Sequence, residues 1–273
     1  MSIQTDGIKF AGAALVTGGS KGIGEGCARA LCGAGARVAI ADVDAAAGPA
    51  LAEALTRAGP GECRFLACDV RDAGQLKATI EAAAGQFGRL DCLVNNAGWH
   101  PPHKPIDDFS IEEFKDLLQL NVIAVFAGCK YALPYLRERQ GSIVNISSMV
   151  AVMGQEFATT YCATKGAVSA MTRALAIDES RHGVRVNAIL PGNVITPMRL
   201  AAMADSPDPA ALNDFIEGWQ WTGRSATIDE IGQICLFLAS EAASFVTGID
   251  FYASGGAELG YGVKVPDRAR WNF

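Results

Sequence analysis

The sequence predicts an α/β fold built on one doubly wound parallel sheet, and three observations support that prediction. Short apolar runs alternate with longer amphipathic stretches along the 273 residues. The first four runs begin about 25 residues apart, which is the spacing of successive strand–helix units. Several runs are apolar throughout rather than alternating, as expected for strands that are covered on both faces. Strands alternating with helices favour a parallel sheet between two helical layers.

The predicted elements follow the apolar pattern in chain order. The predicted strands are the runs at 13–17, 38–41, 64–68, 92–94, 142–146, 184–189 and 249–252. The amphipathic stretches predicted to be helical include those at 45–58, 75–87 and 111–136. Since the sequence contains no linker and no internal repeat, we expect residues 1–273 to form a single domain. The least regular segment, residues 198–222, follows a strand end and is predicted to be a substrate lid.

The composition excludes several classes of partner. Half of the residues are apolar, 19% are charged and the formal net charge is −6. Without a basic stripe to neutralise phosphates, we expect no binding to nucleic acid. The acidic balance gives no reason to expect an anionic membrane surface. We also expect no membrane span, because no apolar run approaches the roughly 20 residues that a span needs.

The cysteines predict a reducing compartment. Eight cysteines are scattered through apolar stretches, and residues 1–10 lack the apolar segment of a secretory signal. We therefore expect free thiols in a cytoplasmic protein rather than four disulfides. The sequence has no C-x-x-C motif and only three histidines, so we expect no metal site.

A glycine-rich turn follows the first predicted strand and opens the first helix. Residues 17–24 read TGGSKGIG. Glycines in this place let the backbone turn tightly and approach a pyrophosphate at the N-terminus of a helix. The spacing G-x-x-x-G-x-G differs from the commoner G-x-G-x-x-G. The residues predicted to contact a dinucleotide here are Gly18, Ser20, Lys21, Gly22, Ile23 and Gly24.

Asp42 ends the second predicted strand, 18 residues after Gly24. A carboxylate in this position accepts hydrogen bonds from the adenosine ribose and repels a 2′-phosphate, which predicts NAD as cofactor. The alternative is an acid that caps a helix or turn, although Asp44 is better placed for capping. Lys21 opposes the prediction, since a basic residue in the turn attracts a 2′-phosphate.

Tyr161 and Lys165 are four residues apart and share one face if they lie on a helix. An ammonium near a phenol favours the phenolate and lowers the pKa of the tyrosine from its ordinary value of about 10. Tyr161 then becomes a usable general base. Ser148 lies just past the 142–146 strand, at the carboxyl end where open α/β sheets bind ligands.

Several motifs occur together in a fixed order. They are the turn at 17–24, the NNAG of residues 95–98, Asn121, Ser148, the Y-x-x-x-K of residues 161–165 and the PG of residues 191–192. With these motifs the chain resembles the short-chain dehydrogenase/reductase family over nearly its full length. The resemblance implies hydride transfer between a secondary alcohol and NAD, in which Tyr161 exchanges the proton of the substrate oxygen.

The resemblance also implies a role for each matching residue. Lys165 would bind the nicotinamide ribose and depress the tyrosine pKa, Ser148 would hold the substrate oxygen, and Asn121 would anchor a water chain behind the lysine. Further cofactor contacts would come from Asp69 and Val70 at the adenine, from Asn96, and from Val194 and Thr196 at the nicotinamide end.

A narrower resemblance bears on the substrate. Residues 95–102, 132–137, 178–180 and 255–262 are similar to a group within this family that acts on 17β-hydroxysteroids and on L-fucose. It implies that His100, Gln155 and Tyr261 line the substrate pocket, although His100 beside two prolines reads equally well as a loop histidine. Arg199, where that group carries a tryptophan, suits a hydroxyl-rich substrate better than a steroid.

The predicted function is the NAD-dependent oxidation of a secondary alcohol, with a sugar such as L-fucose favoured at its anomeric hydroxyl. The first alternative is a 17β-hydroxysteroid substrate. The second is an NADPH-dependent ketoacyl reductase, against which Asp42 argues. A non-catalytic dinucleotide sensor on the same fold is disfavoured by the Tyr161–Lys165 pair. The resemblance further implies a homotetramer, with helices near 115–136 and 161–180 and the last strand at subunit contacts.

Overall fold

The computed structural model describes residues 7–259, so the predicted pocket residue Tyr261 lies outside the described residues. Its centre is a seven-stranded parallel sheet with the strand order β3-β2-β1-β4-β5-β6-β7, which confirms the predicted fold class. The strands are β1 (Ala13–Thr17), β2 (Arg37–Asp42), β3 (Glu62–Ala67), β4 (Cys92–Asn95), β5 (Ser142–Ile146), β6 (Arg185–Pro191) and β7 (Asp250–Ala253).

Nine α-helices lie within the described range of residues 7–259. They are α1 (Gly22–Gly33), α2 (Ala47–Ala58), α3 (Ala73–Phe87), α4 (Ile111–Leu118), α5 (Ala124–Arg139), α6 (Thr159–Glu179), α7 (Pro197–Ala204), α8 (Pro209–Glu217) and α9 (Ile228–Ala239). Helices α1, α2 and α9 contribute to the core on one face of the sheet. Helices α3, α5 and α6 contribute to the core on the other.

Strand β1 shows why the strand sequences are apolar throughout. Ala14 and Val16 are buried in the core beneath α1, whereas Ala13 and Leu15 are buried in the core on the opposite face. Successive strand side chains point to opposite faces, so a strand with two covered faces needs apolar residues at every position. The uninterrupted apolar run is therefore the sequence signature of the central strand.

The bounds of several strands differ from the prediction by one or two residues. Strand β2 begins at Arg37 and ends at Asp42, because its ladder with β3 continues through polar residues at both ends. The register pairs Arg37 with Glu62 and Asp42 with Ala67. Hydrophobicity locates the buried centre of a strand, but hydrogen bonding to the neighbouring strand decides where it ends.

Connectivity places a crevice at the carboxyl end of β1. The chain proceeds outward from β1 to β2 and β3, then returns to pair β4 with the other edge of β1. Helices leaving β1 and β4 therefore pack on opposite faces of the sheet and separate above this point. Open α/β sheets bind ligands at such a reversal of strand order.

Residues Ile111–Arg139 form one helical stretch of 29 residues, in which a π-helical turn (Gln119–Ile123) joins α4 to α5. By length and composition this stretch is apolar enough to cross a membrane, with a mean hydropathy of 1.4 in its most apolar window. The expectation that no apolar segment is long enough to span a membrane was therefore wrong. Half of that window is buried inside the domain, as in the core helix of a globular fold.

Candidate active site

A cleft of about 550 Å³ opens at the carboxyl ends of the strands. It brings together most of the residues that the sequence singled out. The predicted residues that line it are Gly18, Lys21, Gly22, Ile23, Asp42, Asp69, Val70, Asn96, His100, Ser148, Tyr161, Lys165 and Thr196. The predicted residues that lie outside its lining are Ser20, Gly24, Asn121, Gln155, Val194 and Arg199.

The glycine turn is shaped by close backbone approach. Gly18 has a φ of +61°, and a Cβ on Gly24 would lie 2.2 Å from the carbonyl oxygen of Gly18. The Nδ2 of Asn96 donates to the carbonyl oxygens of Thr17 (2.9 Å) and Gly18 (2.8 Å), which fixes the turn against β4. Asn96 therefore has two roles, because its side chain holds the turn through these hydrogen bonds and the residue also lines the cleft.

The turn leaves the start of α1 facing the cleft. Lys21 occupies the position before the helix and makes no side-chain cap. The unpaired N–H groups of a first helical turn, together with the helix dipole, suit a phosphate. Since Gly18 and Gly22 line the cleft without side chains, backbone amides can approach a bound diphosphate there. These features fit a dinucleotide.

The Asp42 carboxylate is held by two backbone amides. Its Oδ2 accepts from the N–H of Ser20 and its Oδ1 from the N–H of Asp44, both at 3.0 Å. The bond to Ser20 ties the acid at the end of β2 directly to the glycine turn. The carboxylate remains at the rim of the cleft, where the sequence predicts the adenosine ribose.

Asp44 has the capping role that the sequence favoured for it. Its Oδ1 accepts from the N–H groups of Ala46 (3.1 Å) and Ala47 (2.8 Å) at the start of α2. Its Oδ2 lies 2.6 Å from the ammonium of Lys21. The bond from Ala47 and then the contact with Lys21 lower the pKa of Asp44 to about 2. Lys21 is thus already paired with a carboxylate beside Asp42.

The carboxyl end of β3 carries an ion pair that the sequence analysis missed. Arg71 lines the cleft and donates to both carboxylate oxygens of Asp69, at distances from 2.6 to 3.1 Å. The guanidinium holds the pKa of Asp69 below its ordinary value. Between them Val70 is buried and lines the same wall. The sequence shows an aspartate two residues before an arginine, but no local pattern predicts that the Arg71 side chain turns back to bind Asp69.

Tyr161, Lys165 and Ser148 converge where β5 meets α6. Tyr161 lies in the first turn of α6, and Ser148 follows the end of β5. The Nζ of Lys165 donates to the carbonyl oxygen of Ile146 at 2.9 Å and lies 5.7 Å from the centroid of the Tyr161 ring. The four-residue spacing places Tyr161 and Lys165 on one face of α6, and the end of β5 positions Ser148. The three side chains therefore form the predicted cluster.

Burial dominates the electrostatics of this cluster. It raises the pKa of Tyr161 to about 12, although a hydrogen bond with Ser148 opposes the rise. Burial also lowers the pKa of Lys165 to about 8, because the protein interior solvates the charged ammonium less well than water does. In this geometry burial is the largest influence on the tyrosine pKa, and the ammonium of Lys165 donates to a backbone carbonyl, so the effect of Lys165 on that pKa stays a prediction.

Asn121 lies in the π-helical turn between α4 and α5. Its Oδ1 accepts from the N–H of Trp99, and its Nδ2 donates to the carbonyl oxygen of Trp99, both at 2.9 Å. Nδ2 also lies 3.2 Å from the Oγ1 of Thr164. The side chain is buried beside Lys165, and its hydrogen bonds to Trp99 stabilise the loop that leads to His100. Single-turn π segments often occur at functional sites.

His100 lies against the tyrosine. The centroids of the His100 and Tyr161 rings are 4.2 Å apart, and the Nδ1 of His100 is 2.6 Å from the carbonyl oxygen of Pro101. Its Nε2 is 3.3 Å from the Oε1 of Gln155, which stands behind it. Of the two alternatives for His100, the structure favours the pocket. Gln155 also contacts His103, which the sequence analysis did not identify.

The predicted lid contains the helices α7 and α8, joined by Arg199. The Nη2 of Arg199 donates to the Oδ1 of Asn213 at 2.8 Å, and its Nε has no hydrogen-bond partner among the described residues. The side chain lies between the two helices rather than in the cleft lining. Thr196 caps α7, and Val194 is buried in a bridge with Ala226.

The cysteines at 27, 32, 63, 68, 92, 129, 162 and 235 are free thiols. Over residues 7–259, no group of three or more metal-ligating side chains comes together.

Comparison with known proteins agrees with this geometry. The family described as enoyl-(acyl carrier protein) reductase matches residues 18–258. The chain is 46% identical to L-fucose dehydrogenase of Bos taurus over 96% of each chain. It is 45% identical to L-fucose dehydrogenase of Oryctolagus cuniculus, over 95% of this chain and 89% of that one. Levodione reductase is a similar solved structure, with a TM-score of 0.88 and 31% identity, covering 93% of this chain and 100% of that one.

Proposed function

Because the chain belongs to the short-chain dehydrogenase/reductase family, we propose that it oxidises a sugar such as L-fucose at its anomeric hydroxyl with NAD. Membership indicates an oxidoreductase that acts on CH–OH groups with a nicotinamide cofactor. One observation carries the proposal about the substrate. Tyr161 is hydrogen-bonded to Ser148 and lies against the ring of His100, so two polar side chains contact it.

The chain supplies proton handling and orientation. A bound nicotinamide supplies the hydride acceptor. Ser148 and Tyr161 hold the oxygen of the alcohol, and Tyr161 takes its proton on oxidation and returns it on reduction. Since burial favours the neutral phenol, the base form needs a nearby positive charge. Lys165 is a buried cation of the site, and its approach to the phenol favours the phenolate.

The proposed sugar specificity rests on His100, which lines the cleft beside Tyr161 and contacts Gln155 behind it. Ser148 and Tyr161 in the same lining carry hydroxyl groups, and together with the imidazole of His100 they can bind a hydroxyl-rich ring, whereas an apolar steroid face offers them fewer partners. A site built to hydrogen-bond a substrate discriminates strongly against an analogue without the matching group. The relatives at 45–46% identity act, by name, on such a sugar.

The proposed preference for NAD over NADP rests on Asp42 and on the pairing of Lys21. A 2′-phosphate at the ribose would meet the Asp42 carboxylate. The nearest basic group in the turn, Lys21, is bound to Asp44 at 2.6 Å and would have to leave it first. Both effects disfavour NADP.

One alternative substrate is favoured by a specific observation. Trp99, Leu120 and Met198 add apolar surface to the cleft lining, which suits a 17β-hydroxysteroid. An NADPH-dependent ketoacyl reductase is the second alternative. These reactions differ in substrate and in cofactor, so a single panel distinguishes them.

The experiment is a panel of initial rates. NAD⁺ and NADP⁺ are each offered with L-fucose, a second aldose and a 17β-hydroxysteroid, and NADPH is offered with a ketoacyl thioester. We expect the highest kcat/KM with NAD⁺ and L-fucose, with the sugar lactone as product. Faster turnover of the steroid would replace the sugar proposal, and faster turnover with NADPH and the thioester would replace both.

We also propose a homotetramer in the cytoplasm. Exposed apolar side chains on α5, α6 and β7 support the assembly: Phe126 is 54% exposed, Ile177 76% and Tyr252 44%. Scattered apolar residues are common on monomers, so the support lies in their position on the long helices and the edge strand. Light scattering of the purified chain tests the assembly, and a monomer would contradict it. Fractionation of the source cells tests the compartment, and recovery outside the cytoplasm would contradict it.

A further inference from the structure

Three polar side chains form a hydrogen-bonded path from the imidazole beside Tyr161 to the surface. The Oε1 of Gln155 is 3.3 Å from the Nε2 of His100, and the Nε2 of Gln155 is 3.2 Å from the Nε2 of His103. The ring of His100 lies against Tyr161, whereas His103 is exposed. The path therefore joins a solvent-facing imidazole to the imidazole beside the proposed acid/base.

The donors and acceptors on this path are interdependent. The Nδ1 of His100 is 2.6 Å from the carbonyl oxygen of Pro101, and a carbonyl only accepts, so this nitrogen carries a proton. The carboxamide of Gln155 has one accepting atom and one donating group, and it offers one to each Nε2. Whichever way the carboxamide is turned, one Nε2 must donate and the other must accept. His100 and His103 cannot both be protonated at Nε2 without breaking a hydrogen bond.

We propose that His103 is a positioning residue that sets the protonation of His100 through the carboxamide of Gln155. In the orientation observed, the Nε2 of His103 accepts and both nitrogens of His100 face oxygen atoms, so His100 carries the extra proton. When His103 takes a proton at Nε2, the carboxamide turns and His100 becomes neutral. Protons move only between the two rings and solvent, and no other bond is made or broken.

The charges around His103 support this orientation. Partial burial and then the charge of His100 hold the pKa of His103 below its ordinary value, and Glu156 opposes them. The ring centroids of the two histidines are 5.0 Å apart. The adjacent Lys104 is paired with Glu113 at 2.6 Å. These influences favour the neutral form of His103, whose Nε2 can then act as the acceptor.

The consequence for catalysis rests on the proposed role of Tyr161. A positive charge on the neighbouring ring favours the phenolate, so a neutral His103 that accepts at Nε2 supports the base form of the tyrosine. His103→Ala frees Gln155 to turn and weakens this support. A neutral hydrogen bond corresponds to about a two- to tenfold effect, so we expect a loss of that size in kcat/KM for the alcohol. The acid limb of the pH profile should move to higher pH, with the KM for cofactor unchanged.

The test uses nuclear magnetic resonance of the full chain labelled with ¹⁵N at histidine. The chain has three histidines, so the spectrum contains three imidazoles, and His182, in the short 3₁₀ helix after α6, is an internal control. At neutral pH we expect a protonated Nε2 on His100 and an unprotonated Nε2 on His103. His103→Ala should alter the state of His100 and leave His182 unchanged, whereas His103→Gln, which offers an amide oxygen, should restore it.

Gln155→Glu provides a second, independent variant. A carboxylate accepts from both neighbours, so both Nε2 atoms should become protonated together. The same Nε2 state on both histidines of the wild type at neutral pH would overturn the proposal. An unchanged His100 in His103→Ala would also overturn it. Because the wild-type spectrum needs neither substrate nor turnover, it decides the proposal even if the proposed sugar activity fails, and the rate panel decides that activity separately.

Discussion

The two sides of the cleft are held in different ways. On the cofactor side, Asp42 and the glycine turn are fixed by backbone hydrogen bonds among adjacent strand ends, such as the 3.0 Å bond from Ser20 to Asp42. On the substrate side, His100 and Gln155 come from separate loops, and side-chain contacts between those loops join them, such as the 3.3 Å contact between the two residues. Positions that depend on local backbone requirements can be identified from sequence spacing. Positions that depend on the packing of two loops cannot.

The largest effect is expected where the two sides meet, at Tyr161. Tyr161→Phe keeps the ring but removes the proton exchanger, so we expect kcat to fall by about 10²–10⁴. The affinity for NAD, measured by titration, should remain within about twofold, since the phenol contributes at most one neutral hydrogen bond to it. Tyr135→Phe, which removes a hydroxyl on α5 away from the cleft, is the matched control and should turn over normally. Near wild-type kcat in Tyr161→Phe would remove the tyrosine from the mechanism.

Asp42 tests the cofactor side alone. In the proposed role its carboxylate opposes a 2′-phosphate and binds the ribose, from which we expect a preference for NAD of about 10²–10³ in kcat/KM. Asp42→Asn keeps an acceptor for one of the two amides, those of Ser20 and Asp44, and should narrow the preference mainly by improving the kcat/KM for NADP. Equal use of both cofactors by the wild type would show that Asp42 does not face the ribose.

The pairing of Lys21 with Asp44 sharpens that test. Asp44→Asn retains an oxygen that caps α2 but releases Lys21 toward the ribose. Surface pairs are weak and screened, so we expect kcat/KM for NADP to rise only about two- to fivefold. Adding Lys21→Met should cancel the rise. A rise that persists without Lys21 would mean that the charge of Asp44 acts directly.

Lys165 tests how far its buried charge lowers the free energy of unfolding. Its pKa falls from 10.5 to about 8, which corresponds to roughly 3 kcal/mol of burial penalty while the group is charged. Lys165→Met removes that penalty but leaves the carbonyl of Ile146 without its hydrogen bond, worth about 1 kcal/mol. We expect a net gain of about 2 kcal/mol in the free energy of unfolding at pH 7, together with loss of activity.

The sign of the pH dependence follows from linkage. Below pH 8 the folded and unfolded states both hold the proton, so the penalty is complete. Between about 8 and 10.5 the unfolded state holds more protons, and wild-type stability rises with pH. The raised pKa of Tyr161, about 12 instead of 10.0, reverses the trend only above pH 10. The advantage of Lys165→Met should therefore shrink by about 1–2 kcal/mol between pH 7.5 and 9.5 in urea titrations. Lys130→Met on the surface of α5 should show no such dependence, and a constant advantage for Lys165→Met would contradict the buried charge.

Arg199 tests the predicted lid, on the substrate side. Its guanidinium joins α7 to α8 through Asn213. If it only holds the lid together, Arg199→Ala and Asn213→Ala should each raise the KM for substrate about two- to tenfold, and the double variant should be no worse. An additive double variant would mean that Arg199 also contacts the substrate, as the sequence suggested.

The same comparison explains how far the sequence could be interpreted. The sheet, the glycine turn and the Tyr161–Lys165 pair follow from periodicities and spacings that are local in the chain. The direction of the Arg199 side chain depends on where α8 returns, 14 residues later. The role of His103 depends on contact with Gln155, 52 residues away. Nor does spacing reveal that burial, rather than Lys165, dominates the pKa of Tyr161.

The central claim is that this chain moves hydride from the anomeric carbon of a sugar to NAD, and isotope transfer tests it most directly. L-fucose deuterated at its anomeric carbon is incubated with the enzyme and NAD⁺, and the molecular mass of the recovered NADH is measured by mass spectrometry. The account predicts NADH that carries one deuterium, and Tyr161→Phe should form it more slowly by the same factor as its kcat. NADH formed without deuterium, or no NADH while a hydroxysteroid is oxidised under the same conditions, would contradict the account.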